Sequence, residues 1–163
     1  MKTILIIRHA KAEPVFSIND FERTLNERGK KDALDMAKRI LDKNLKIDAF
    51  VSSPAKRAKK TAQLFCEVFD CKEKDIILLS ELYQAPAEVY FEVIEHLNES
   101  LDAVALFGHN PGITQFANEL SGILQVDNIP TCGVFGVKAE CTHWSGFTVS
   151  KKEFLFFDYP KNL

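Results

Sequence analysis

No stretch of this chain is long and apolar enough to cross a bilayer, and none repeats or falls into low complexity. No Gly/Ser-rich linker divides the 163 residues, so a single domain over residues 1–163 is expected. Met1-Lys2-Thr3 leads straight into a short apolar strand, without the apolar stretch and small-residue cleavage site of a signal peptide, which makes a cytoplasmic location the expectation. Excess positive charge is missing too. With a formal net charge of −2 the chain has no overall field that would draw in nucleic acid or an anionic membrane, so any attraction for phosphate must be local. The spacing of a zinc knuckle is also absent: Cys66 and Cys71 lie five apart, Cys132 and Cys141 nine apart. All four cysteines are therefore expected as free thiols, with no metal site.

What is present is ordinary globular material, 46% apolar and 27% charged, enough for a core without a metal or disulfide staple. Short apolar runs read as strands at Thr3 to Ile7, Ala49 to Ser52, Ile76 to Leu79, Ala103 to Phe107, Cys132 to Val137 and Phe154 to Phe157. Between the early ones, Leu34, Ala37, Ile40 and Leu41, and then Ala58, Ala62, Phe65 and Phe69, recur at helical spacing. Strands alternating with helices imply an α/β fold: three layers, α/β/α, around a mostly parallel sheet of about six strands. The stretch from Cys132 onward has strands without helices between them, so an antiparallel edge is expected there.

Arg8-His9 follows the first apolar run directly. In an open α/β sheet the carboxyl ends of the strands are where ligands bind. An imidazole there can attack phosphorus while the adjacent guanidinium neutralises phosphate oxygens. Two further strand ends carry helix-start signals, Ser53-Pro54 after the second strand and Asn110-Pro111 after the fourth, each read as an N-cap followed by proline at the first helical position. Such turns offer free backbone N–H groups and the positive end of a helix dipole to an anion. Arg57 lies in the first turn after Ser53, and His109 immediately precedes Asn110, with Gly108 permitting close backbone approach. Lys56, Lys59 and Lys60 read as a solvated helix face, and His96 and His143 have no comparable neighbourhood.

Together, Arg8-His9 after a first strand, Ser52-Ser53-Pro54 with Arg57, and Phe107-Gly108-His109 after a fourth resemble the histidine phosphatase superfamily, also called phosphoglycerate-mutase-like. Arg8-His9-Ala10-Lys11-Ala12, followed by Arg23-Thr24-Leu25 and Gly29, is similar to its short SixA-type branch of phosphohistidine phosphatases. Ala10 stands where the larger branches usually have glycine. The resemblance implies that His9 is transiently phosphorylated and that Arg8, Arg57 and His109 hold the phosphoryl oxygens, His109 either protonated or donating a hydrogen bond. It also makes Arg23 and Asn110 candidate phosphate or substrate contacts, and it implies no cofactor and no metal. Glu81, after the third strand, is the candidate general acid.

Only thirteen residues separate His9 from Arg23, and no long insertion follows Arg57 or Glu81 that could form a lid. An open, shallow site suits a phosphorylated protein, such as a histidine phosphotransfer domain carrying phosphohistidine. The alternatives are a small phosphomonoester with Glu81 as acid, and a catalytically silent phospho-ligand-binding domain. Mutase activity has no extra segment to support it.

Overall fold

The apolar run in the first strand, β1 (Lys2–Arg8), alternates between two covered faces: Ile4 and Ile6 pack on one side of the sheet, Leu5 and Ile7 on the other. In the computed structural model, which describes residues 1–14, 19–122 and 125–163, the same alternation recurs in the fourth strand, β4 (Ala103–Gly108). Val104 and Leu106 face one layer, Ala105 and Phe107 the other. Strands buried on both faces are the mark of a parallel sheet with helices above and below.

The sheet has six strands in the order β3-β2-β4-β1-β5-β6, where β2 is Ala49–Ser52, β3 is Ile77–Leu78, β5 is Val134–Ala139 and β6 is Lys152–Asp158. β1, β2, β3 and β4 pair in parallel, and β5 and β6 add the expected antiparallel edge. Helices α1 (Glu27–Leu41) and α2 (Lys56–Val68) cover the Leu5 face through Met36, Ile40 and Phe65. Helices α3 (Ala87–Glu95) and α4 (Gly112–Ser121) cover the Ile4 face through Tyr90, Ile94, Ile113 and Phe116, joined by Trp144 and Phe147.

Because β4 inserts between β1 and β2, the carboxyl ends of three parallel strands converge. Arg8-His9, Ser52-Ser53 and Gly108-His109 all lie at that edge, where a doubly wound sheet leaves its crevice. Two glycines let the surrounding chain come close. A Cβ on Gly29 would overlap the carbonyl oxygen of Lys11, in the loop after His9. One on Gly108 would overlap the Tyr90 hydroxyl, which accepts the His109 backbone N–H at 3.1 Å.

Three expectations need correction. α2 begins at Lys56 with Ala55 as its N-cap, not at Ser53, whose Oγ accepts the Ala55 N–H at 3.2 Å in a turn ahead of the helix. α4 begins at Gly112 behind Pro111, because Asn110 spends its side chain elsewhere: Oδ1 accepts the Thr114 hydroxyl at 2.7 Å and Nδ2 donates to Asn128 Oδ1 at 2.6 Å. Cys66 and Cys71 are not free thiols. The end of α2 folds back through Asp70, at φ 56°, so that the Cys71 N–H meets the Cys66 carbonyl at 3.0 Å and the two sulfurs form a disulfide. Cys132 and Cys141 are free. Among the described residues no helix is long and apolar enough to cross a membrane.

Filling the space kept open at Gly108 has a defined cost. Gly108→Ala must push back Tyr90, itself fully buried, and should lower stability by about 1–3 kcal/mol, as overpacking does. Urea unfolding should show a lower midpoint with an unchanged slope, and an unchanged midpoint would contradict the packing described.

Candidate active site

The state of His9 is set by its own neighbour. His9 is 7% exposed, and its Nδ1 lies 2.8 Å from the Ala10 carbonyl oxygen. A carbonyl only accepts, so Nδ1 carries the ring proton and Nε2 presents its lone pair. Arg57 Nε donates to that same Nε2 at 3.3 Å, which is consistent only with an unprotonated nitrogen. The Ala10 peptide is anchored in turn, its N–H donating to Thr61 Oγ1 at 3.0 Å while the Thr61 hydroxyl donates to the Arg57 carbonyl at 2.7 Å. Burial lowers the His9 pKa to about 3; the bond to Ala10 opposes this, and the charges of His109, Arg57 and Arg8 reinforce it.

Arg57, at 3% exposure, is held by Asp20. Its Nη1 donates to the Asp20 carbonyl at 2.6 Å and its Nη2 to the carboxylate at 2.8 Å. That carboxylate also accepts from the Tyr83 hydroxyl at 2.6 Å and from Arg23 Nη2 at 2.9 Å. Burial by itself opposes the charge on Asp20. Hydrogen bonds from Tyr83, Arg57 and Arg23, with the Arg57 charge, outweigh it and hold the carboxyl well below the usual range.

His109 is 2% exposed and its ring centre lies 5.2 Å from that of His9. Burial lowers its pKa to about 4, helped by Arg57, Arg23 and Arg8 and opposed by Asp20. Of the two states expected for it, the neutral hydrogen-bond donor is the one this environment favours. Its Nε2 lies 2.8 Å from Ser53 Oγ, an oxygen that already accepts from Ala55. If the Ser53 hydroxyl gives its own proton to Nε2, the ring proton sits on Nδ1. Among the described residues, the buried side-chain nitrogens or oxygens without a partner are Arg8 Nε and His109 Nδ1. Both belong to residues expected to hold a phosphoryl group, and an unpaired buried donor is a feature that a bound anion would satisfy.

These side chains line one pocket of about 320 Å³, in which Arg8, Arg23, Arg57 and Lys11 supply four cations against the one carboxylate of Asp20. The sequence-derived set of His9, Arg8, Arg57, His109, Arg23 and Asn110 converges there. Arg23 is tied to Asp20 and to the Glu13 carbonyl at 3.2 Å, and Asn110 is engaged with Asn128 and Thr114. Glu81 is not brought in. It is exposed and lines a separate groove with Ile77, Leu79 and Val89, because the turn after β3 points Tyr83 and Gln84 inward instead. Asp20 and Tyr83 escaped the sequence reading, and Ser53 entered it as a helix cap and part of the Ser52-Ser53-Pro54 motif rather than as a partner of His109. For Asp20 the available signal was its spacing three residues before Arg23, which gives the ion pair seen between them. Among the described residues no group of three or more His, Cys, Asp and Glu side chains could hold a metal ion.

The family model for the histidine phosphatase superfamily, branch 1, matches residues 4–120, well over half of the chain. The chain belongs to that superfamily. Among solved structures it is similar to SixA from Agrobacterium tumefaciens, with 26% identity over 98% of both chains and a TM-score of 0.82. It also shares the fold of the protein histidine phosphatase SixA complexed with tungstate, at 21% identity over 98% of both chains and a TM-score of 0.83. A mycobacterial glucosyl-3-phosphoglycerate phosphatase is a more distant likeness in fold, 11% identical over 95% of this chain and 97% of that one, with a TM-score of 0.68. A search of curated proteins finds no sequence match.

The depressed imidazoles can be read directly. Ring ¹⁵N spectra of this superfamily member should show His9 neutral, protonated on Nδ1, down to about pH 5, whereas a solvated imidazole titrates near 6.5. The sign follows for stability. Protons taken up by the unfolded chain below pH 6.5 are refused by the folded one until about pH 4 at His109 and 3 at His9, so stability should fall as pH drops through that window. A His9 signal titrating near 6.5 would contradict the site as described.

Proposed function

We propose that this member of the superfamily is a phosphatase that works through a phosphohistidine intermediate on His9, and that its substrate is phosphohistidine in another protein, such as a phosphotransfer domain. His9 Nε2 attacks phosphorus in line, the bond from phosphorus to the substrate's imidazole breaks, and that imidazole, protonated on its other ring nitrogen, takes the electron pair and leaves as a neutral ring. Water then attacks phosphorus on His9, and inorganic phosphate departs as Nε2 regains its lone pair. Arg8, Arg57 and His109 hold the oxygens through both steps, so the transition-state charge meets donors already in place. With three guanidinium groups at the pocket the charge on phosphorus is met without a metal ion.

The observation that carries the substrate class is the state of the acid. An alkoxide leaving group needs a proton, but the carboxyl in the pocket, Asp20, is held ionised by Arg57, Arg23 and Tyr83, and Glu81 lies outside it. An imidazole is a far better leaving group and tolerates that lack. The likeness to SixA supports the same reading.

Two peptides offered side by side, identical except for phosphohistidine in one and phosphoserine in the other, should differ in kcat/KM by several orders of magnitude in favour of the phosphohistidine peptide. Comparable rates, or faster cleavage of the ester, would overturn the substrate assignment.

A further inference from the structure

The catalytic pocket continues on one side. Lys11 and Thr131 line it and also line a second cleft of about 370 Å³, walled by Arg28 and Asp32 of α1 and by Tyr159, Pro160 and Lys161 of the carboxyl-terminal tail. The tail is clamped in place. Arg39 on α1 donates from Nη1 to the Tyr159 carbonyl at 3.0 Å and to that of Asn162 at 3.1 Å, and from Nη2 to that of Pro160 at 2.8 Å. Asp158 adds two bonds, accepting from the Tyr159 N–H at 2.8 Å and from Asn162 Nδ2 at 3.1 Å. A wall held this way exists before anything binds, so little ordering is needed on binding.

Its chemistry is cationic over an apolar floor. Arg28 neutralises Asp32 through Nε alone, at 3.1 Å, and keeps both terminal nitrogens on a side chain 58% exposed. Lys11 and Lys161 are exposed, and neither has an ion pair among the described residues. Pro130, Pro160 and Tyr159 supply carbon surface for the stem of a side chain. Such a concentration of cations in a chain of net charge −2 is local, and it adjoins the site. The other lysine-rich groove, with Lys56, Lys59 and Lys60, shares no lining residue with the catalytic pocket.

We infer that this cleft is the outer half of the substrate site and takes the carboxylate of an acidic residue flanking the phosphohistidine of a protein substrate. The inference rests on the phosphatase reading above. A phosphorylated side chain in the pocket brings its own backbone with it, and Lys11 and Thr131 mark the direction in which the cavity goes on. Arg28 and Lys161 then meet the neighbouring carboxylate, Lys11 stays with the phosphoryl pocket that it also lines, and the apolar floor receives the methylene stem.

The test uses two phosphohistidine peptides identical except for glutamate or glutamine on either side of the phosphohistidine, with phosphoramidate as a probe too small to reach the cleft. The unaltered protein should prefer the glutamate peptide in kcat/KM on the order of tenfold, mainly through KM, as two partly exposed charge pairs would give. Arg28→Gln with Lys161→Gln should abolish that preference, Lys161→Gln alone should reduce it, and phosphoramidate turnover should stay within about twofold in both. Three results would overturn the cleft assignment: no preference in the unaltered protein, a preference that survives the double substitution, or an equal loss in Lys59→Gln/Lys60→Gln. If the unaltered protein cleaves neither peptide nor phosphoramidate, the phosphatase reading itself fails and the cleft assignment falls with it.

Discussion

The contact between Arg57 Nε and His9 Nε2, at 3.3 Å, sets the conditions under which the rest of the site can work. A permanent cation lies against the nitrogen proposed to attack phosphorus, and that arrangement persists only while the imidazole is uncharged. Burial supplies most of what keeps it so, and the neighbouring cations add to it. The Ala10 carbonyl then decides which nitrogen carries the remaining proton. Held apart from these conditions, an imidazole near neutral pH would be partly protonated and would repel the guanidinium beside it.

Asp20 is the counterweight. Three guanidinium groups in one pocket repel one another, and a carboxylate bridging Arg57 and Arg23, steadied by the Tyr83 hydroxyl, lets them sit together before substrate arrives. The same carboxylate is thereby kept ionised and cannot serve as the acid for an alkoxide. Positive charge is thus assembled in the pocket at the expense of proton donation, as the proposed phosphoryl transfer requires. That exchange suits a substrate whose leaving group is already good, and it ties the substrate class to the electrostatics of the pocket.

The sheet was largely legible from sequence because its strands are buried on both faces and read as unbroken apolar runs, and because the strand that crosses back between β1 and β2 ends in a recognisable Gly108-His109. Arg8, His9 and His109, at or just past strand ends, and Arg57, in the first turn of α2, were legible from their places around those strands, and they line one pocket. The misplaced helix starts have a local cause. Ser53 and Asn110 are the right residue types for N-caps, but tertiary partners claim their side chains, His109 in one case and Thr114 with Asn128 in the other. Glu81 was misread because two residues decide which side chains of a turn face inward, and Tyr83 rather than its acidic neighbour reaches Asp20. The Cys66–Cys71 bridge depends on a left-handed residue at Asp70 that folds the chain back, a turn with no periodic signature.

The covalent intermediate is the claim on which the rest of the account stands, and trapping it is the most direct test. Brief exposure to labelled phosphohistidine peptide, followed by alkaline quench, should leave acid-labile, base-stable phosphate that mass spectrometry places on His9. His9→Ala should lose both the label and turnover. Full turnover in His9→Ala, or label found on another side chain, would contradict the account.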